Sequence, residues 1–196
     1  RGMTAQVGTS VNRPPTVPSW FSEMLPLSWD LAVSISHFRY LMDDKFQHKI
    51  SKKEMIKFIH EYLYVDRKAA DSIYTYFYEQ FHFSKIPSDK KIVIETYTDR
   101  GRKYVIFHTL FGRRVNDCLS RALAFVIGRS QHRDVEVGIT DNGFYLSADK
   151  EFNAIRAFKL LVEEDFRSVL EQAIERSEIL SRRFRHCATR SLMILR

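Results

Sequence analysis

The sequence is poor in cysteine, glycine and proline, and it has no long apolar run. Its 196 residues include two cysteines, seven glycines and five prolines. Cys118 and Cys187 lie far apart and outside any C-x-x-C motif. A disulfide scaffold or a structural zinc site is therefore not expected, and a reducing cytoplasm fits best. No stretch of about 18 apolar residues occurs, which predicts no membrane span, and the first residues lack a signal-peptide pattern.

The sequence also lacks the motifs of common nucleotide-dependent and hydrolytic enzymes. It has no G-x-x-x-x-G-K-[ST] phosphate loop and no acidic Mg-binding motif of the helicase kind. It also has no H-E-x-x-H and no G-x-S-x-G. The carboxylates Glu95, Asp99, Asp134 and Glu136 would suit a Mg-dependent nuclease, but their spacing is loose. We therefore predict no catalytic residue, no metal site and no bound cofactor in this chain.

What the chain has in excess is positive charge, concentrated in two segments. The net charge is +7, and arginine outnumbers lysine 19 to 12. Residues 100–133 contain eight Lys or Arg and one acid, and residues 176–196 contain six Arg and one acid. Arginine suits bidentate contact with phosphate. The composition therefore predicts an acidic partner, with nucleic acid as the first candidate.

The periodicity predicts one α+β domain that follows an extended arm. Residues 1–20 contain three of the prolines and show no clear period, so they are expected to form the arm, and residues 21–196 the domain. Helices are predicted to begin near Ser28, Ser51 and Asp66. In the first of these, Leu31, Ile35, Phe38 and Met42 are expected on the buried face, with Trp29 in the core.

Two β-hairpins are predicted in the second half of the chain. Apolar residues alternate on both sides of the turns at 99–101 and 141–143, the second of which contains Asn-Gly. A helix from Gly112 to Gly128 separates the hairpins. Two helices close the chain, one near 154–161 and one from about 163 towards 196, interrupted near Ser181. The predicted order is ααα-ββ-α-ββ-αα, with helices packed on an antiparallel sheet.

The basic residues of the middle segment are candidate phosphate contacts. Arg113 and Arg114 fall at a helix start, where free N–H groups and the positive end of the dipole attract anions. Two cations there oppose the dipole unless an anion compensates. A solvated basic face, or pairing with acids of the same chain, is the alternative. The candidates in this segment are Arg100, Arg102, Lys103, Arg113, Arg114, Arg121 and Arg129.

Two further features are open to more than one interpretation. Arg182, His186 and Arg190 recur every four residues opposite an apolar stripe. They would either track a nucleic-acid backbone or meet acids such as Glu164. Trp20, in the proline-containing arm, is either a base-stacking platform or a core anchor.

Several stretches resemble the Lhr (large helicase-related) family, in the DEAD/H-associated region that follows the motor and winged-helix domains. They are PSWFSE at 18–23, YTDRGRKYVIFHTLFGRRVN at 97–116, LSRALA at 119–124 and RFRHCATRSLMIL at 183–195. The resemblance covers nearly all of residues 14–196. The two longer stretches are specific, whereas the Pro-x-Trp element alone is a weak signal.

The resemblance implies an ATP-dependent 3′-to-5′ helicase that unwinds DNA duplexes and RNA–DNA hybrids. Trp20 matches the family's tryptophan that stacks on a base. ATP and Mg²⁺ are then expected only in the RecA-like motor domains, which with the winged helix are expected partners. The predicted function is an accessory domain that binds single-stranded DNA, RNA or RNA–DNA hybrids. The alternative is a protein–protein docking module that positions the motor or meets an acidic partner.

Overall fold

A computed structural model describes residues 25–175 and 177–191. Its elements confirm the α+β class and the two hairpins, but three helices rather than two close the chain. The predicted arm and Trp20 lie outside the described residues. The elements are α1 (Trp29–Gln47), α2 (Lys52–Leu63), α3 (Arg67–Phe83), β1 (Val93–Asp99), β2 (Arg102–His108), α4 (Arg113–Gln131), β3 (Glu136–Thr140), β4 (Gly143–Ala148), α5 (Ala154–Glu163), α6 (Phe166–Glu175) and α7 (Glu178–Arg190).

Helices α1 to α3 begin where capping side chains predict. The Ser28, Ser51 and Asp66 side chains each accept a hydrogen bond from a backbone N–H three residues on. Two helices end in left-handed backbone without glycine, at Tyr64 (φ 53°) after α2 and at His132 (φ 53°) after α4. The local sequence therefore sets the helix starts more clearly than the helix ends.

The three N-terminal helices form a bundle with its own core. Apolar and aromatic side chains of α1, α2 and α3 meet there and exclude water. The buried members are Phe38, Met42, Met55, Ile59, Ala70, Tyr74, Phe77 and Ile86.

The strands form one antiparallel sheet in the order β1-β2-β4-β3. Val105 and Phe107 of β2 and Leu146 of β4 point towards α4 and, with α5 and α6, make the second core. Side chains alternate along a strand, so their neighbours point to the opposite side. Tyr97, Tyr104 and Tyr145 lie on that side, which no described helix covers, and we call it the open face.

Two expectations about helices were wrong. Leu31 and Ile35 of α1 are 48% and 38% exposed, whereas Ala32 and Ser36 are buried. The pattern assigned one face to the whole helix, but the first half of α1 packs through Ala32 near Gly112 rather than against the bundle. The last helical stretch breaks at Ser177 instead of Ser181, because the Ser177 side chain caps α7 by accepting from the Leu180 N–H.

Candidate nucleic-acid interface

The start of α4 is fixed to the β3–β4 turn and to the chain before α1. Gly112 precedes the helix at φ 82°, a conformation that L side chains rarely adopt. The Asp141 carboxylate accepts from the backbone N–H groups of Arg113 (3.0 Å) and Leu27 (3.1 Å). We call this region, residues 27–29, 111–114 and 141, the α4 corner.

Asn116 holds the corner from beneath and is fully buried. Its Oδ1 accepts from the Thr109 hydroxyl at 2.6 Å, and its Nδ2 donates to the carbonyls of Thr140 (3.0 Å) and Asp141 (3.2 Å). One side chain thus ties together the end of β2, the helix α4 and the β3–β4 turn. These three hydrogen bonds of Asn116 therefore fix the position of the α4 corner above it.

Arg113 and Arg114 project from this corner into solvent. Neither guanidinium contacts a carboxylate within the described parts of the chain. The first turn of α4 contains no acid of its own, and the anion at its start is the Asp141 carboxylate, which accepts from the Arg113 N–H. Two guanidiniums therefore stand against one carboxylate at the positive end of the helix dipole, which leaves a net positive charge. The corner therefore suits a phosphate group, which free N–H groups and guanidiniums both attract.

Trp29 is an exposed aromatic at the same corner, and its exposure was not expected. It is 54% exposed, and its ring centroid lies 6.1 Å from that of Phe111. Because Ser28 is the cap, Trp29 is the first residue of α1 and has no preceding helical turn to pack on. The predicted cap at Ser28 was the signal that could have identified it as a surface residue.

Five of the predicted phosphate contacts form ion pairs with carboxylates of the same chain. In the Arg129–Glu164 pair, the hydrogen bond raises the pKa of Arg129 and lowers the pKa of Glu164. Each of these five side chains would have to break its ion pair before it contacted a phosphate. The pairs are Arg102–Glu136, Lys103–Glu151, Arg121–Asp117, Arg129–Glu164 and Arg182–Glu178.

The remaining predicted residues are exposed but lie apart. Arg100 occupies the β1–β2 turn at φ 48°, at the end of the sheet away from the α4 corner. His186 and Arg190 lie on α7, which packs on α6. Of the predicted residues that the structure describes, Arg113 and Arg114 therefore lie together, and the others are not gathered around them.

The described residues offer no group of three or more His, Cys, Asp or Glu that could hold a metal ion. None of their helices is long and apolar enough to cross a membrane.

The chain belongs to the DEAD/H associated family, whose sequence model matches residues 86–196. It is similar to the ATP-dependent helicase Lhr-Core of Methanothermobacter thermautotrophicus, with 54% identity over 197 residues that cover 100% of this chain and 23% of the relative. Lhr-Core of Saccharolobus solfataricus is 42% identical over 203 residues, with the same coverage of 100% and 23%. The resemblance to the Lhr family is thereby confirmed.

The fold is also shared with a solved structure, the Mycobacterium smegmatis helicase Lhr bound to ssDNA and AMP-PNP. The TM-score is 0.65 at 19% identity, over 92% of this chain and 23% of that one. The chain thus spans about a quarter of the length of the relatives it matches.

Proposed function

We propose that the chain is a single-strand nucleic-acid-binding accessory domain of an Lhr-type ATP-dependent 3′-to-5′ helicase. The observation that carries this proposal is the pair of exposed arginines at the start of α4, neither of which contacts a carboxylate of the described residues. The relatives' name, ATP-dependent helicase Lhr-Core, and the ssDNA bound by the structural neighbour support the choice of ligand. ATP, Mg²⁺, the RecA-like domains and the winged helix would belong to the rest of such a protein.

In this role the α4 corner holds a phosphate without recognising sequence. Arg113 and Arg114 supply guanidinium donors, and Asn116 and Asp141 keep the helix start fixed while the strand binds. Displacement of counterions from the backbone drives the binding, which is therefore salt-dependent. Trp20 would add a stacked base.

The test is a salt titration of single-stranded DNA, RNA and RNA–DNA hybrid binding to the chain. Arg113→Ala with Arg114→Ala should flatten the plot of log affinity against log salt by about 1.4, since each phosphate contact contributes about 0.7 for single strands. The matched control is Arg67→Ala with Lys68→Ala, which removes two charges from the first turn of α3, where Asp66 caps the helix.

Equal slopes in the wild type and the Arg113/Arg114 variant would overturn the phosphate assignment. The second candidate function is protein docking, and a specific feature of α1 favours it. The apolar side chains of Leu31 and Ile35, one turn apart in its first half, lie exposed on the same side of the helix. An unchanged slope would make that surface the stronger candidate.

A further inference from the structure

Three tyrosines cross the open face from the edge strand β1 to β4. Tyr97 of β1 pairs directly with Tyr104 of β2. Tyr145 of β4 pairs with Ile106, which is two residues from Tyr104 along β2. Tyr97 is 48% exposed and Tyr145 is 36% exposed. The predicted β1–β2 hairpin already pairs Tyr97 with Tyr104, whereas the approach of Tyr145 depends on β2 lying beside β4.

The ring geometry leaves one flat face of Tyr97 open, because the other face lies against Tyr104. The Tyr97 and Tyr104 rings are parallel within 5° at 4.8 Å, the spacing of adjacent strands. The two rings are therefore stacked above their strands, with one face of Tyr97 turned towards Tyr104 and the other turned away from it. Because β1 is at the edge of the sheet, no strand lies beyond the outer face of Tyr97.

Tyr145 presents its ring in a different way. It is tilted by 52° from Tyr104 and lies across Gly138 of β3, so close that a Cβ at that glycine would be 2.0 Å from the ring. The missing side chain at Gly138 lets the ring lie low over the sheet. One ring face then packs on backbone and the other faces outward.

The charges of the open face are largely matched within the chain. Glu95 accepts from Ser84 (3.5 Å) and contacts His108 (3.2 Å), and Glu136 pairs with Arg102 at 2.6 Å. At the tip of the hairpin, Asp99 and Arg100 are adjacent and exposed. Such a face offers stacking surface but little net charge.

We propose that the open face is a base-stacking platform for single-stranded nucleic acid, centred on the outer ring face of Tyr97. It takes its ligand class from the proposed function, but it is a separate surface from the α4 corner. Every base has an aromatic face, so stacking on tyrosine tolerates any sequence. Arg100, three residues along the chain, can reach the phosphate of the nucleotide that stacks.

A further exposed ring lies beside the same edge of the sheet. Phe83 is 93% exposed at the end of α3. It directly precedes Ser84, whose hydroxyl contacts Glu95, two residues before Tyr97 in β1. Consecutive bases of an extended strand along β1 would therefore meet more than one aromatic side chain.

The first test measures the affinity for a single-stranded oligonucleotide at low and at high salt. Tyr97→Ala should raise Kd by about 5- to 150-fold, by the same factor at both salt concentrations, because stacking involves no counterion release. Tyr97→Phe keeps the ring and should bind as the wild type does. The control is Tyr76→Ala, which removes a comparably exposed tyrosine (52%) from α3.

These results separate the two proposals. Tyr97→Ala is expected to lower the affinity and leave the slope of log affinity against log salt unchanged. The Arg113/Arg114 variant is expected to change that slope. If Tyr97→Ala binds as tightly as wild type while the arginine variant changes the slope, the platform is wrong and the proposed function stands. If the arginine variant keeps the wild-type slope while Tyr97→Ala weakens binding, the platform stands and the phosphate assignment fails.

The second test locates the base directly. An oligonucleotide with a photoreactive halogenated uracil is cross-linked to the chain, which is then cleaved with trypsin. Tyr97 is the sole aromatic residue of the tryptic peptide 92–100. Cross-linked 92–100 supports the platform. Cross-links confined to other peptides, with no affinity loss in Tyr97→Ala, would overturn it and leave the open face to a protein partner.

Discussion

Asn116 is the residue on which the geometry of the α4 corner depends. Asn116→Ala leaves the Thr109 hydroxyl and the carbonyls of Thr140 and Asp141 without their buried partner. We expect a loss of roughly 2–4 kcal/mol in the free energy of unfolding, measured by denaturant unfolding. Asn142→Ala, at an exposed position in the same turn, should cost about 0.5 kcal/mol or less. Equal losses in the two variants would contradict the role of Asn116.

Trp20 is the residue for which stacking and core packing give opposite results. Trp20→Ala should weaken single-strand binding by about 1–3 kcal/mol with little change in thermal stability. A core anchor would instead cost about 3–5 kcal/mol of stability and leave the affinity unchanged. Melting curves and binding titrations on the same variant distinguish the two, with Trp29→Ala as the comparison at an exposed indole.

An ion pair could be predicted from the sequence where its two residues lie close together along the chain. Asp117–Arg121 and Glu178–Arg182 are four residues apart and follow from helical spacing. Arg102 and Glu136 are 34 residues apart. That pair depends on the order of strands, which periodicity does not give. The composition therefore predicts an excess of basic side chains, but it does not predict which of them form ion pairs within the chain.

At the scale of elements, turns and caps carried most of the predictive information. The Asn-Gly turn and the Asp-Arg-Gly turn located both hairpins, and Ser51 located α2. The break at Ser177 was missed because the flanking residues continue a helical pattern. Competition between a helix interior and a serine cap is decided by a single local hydrogen bond.

The capping box of α2 makes a prediction about pH. The Ser51 hydroxyl, at 2.6 Å, and the Ser51 backbone N–H both donate to Glu54, which lowers the pKa of that carboxylate. Folding therefore stabilises the ionised form of Glu54 relative to its protonated form. The stability it adds is present above about pH 4.3, the ordinary value for glutamate, and is lost as the pH falls through the lower folded pKa.

Glu54→Gln should accordingly lower the melting temperature at neutral pH and have a smaller effect in acid. Melting curves over this pH range check the prediction. Glu61→Gln, at an exposed glutamate of the same helix that pairs with Lys57 at 3.8 Å, is the control for loss of a surface carboxylate outside the cap. A difference between wild type and Glu54→Gln that stays constant with pH would rule out the ionised cap.

At the scale of the molecule, residues 25–175 and 177–191 contain two cores that share no buried residue. The bundle core ends at Ile86, and the sheet core runs from Val105 to Val169. The family match begins at residue 86, which is the last residue of the bundle core. Contacts at the α4 corner, such as Leu27 with Asp141, connect the two halves. The sequence predicted the elements of both halves but not this division, which depends on which apolar faces meet.

A fragment of residues 86–196 should therefore fold with its sheet intact. Its core residues lie entirely within the fragment, so it should unfold cooperatively and show protected amides in β2 and β4. Circular dichroism and hydrogen exchange measure this. The Arg113 amide should exchange faster than in the whole chain, because Asp141 loses Leu27 as its second donor. A fragment without protected amides would show that the bundle is required for the sheet.

The left-handed helix ends at Tyr64 and His132 offer a route to engineering a more heat-resistant protein. Glycine adopts this backbone conformation without the steric cost that other residues incur. Both side chains are exposed, so their removal sacrifices little packing. The left-handed conformation costs other residues about 1–2 kcal/mol, and glycine loses about 0.5–1 kcal/mol more conformational entropy on folding. Tyr64→Gly and His132→Gly should therefore each raise the free energy of unfolding by about 0.5–1 kcal/mol. The gains should add, because the two sites end different helices and share no contact. A chain with few glycines thus has room for two more.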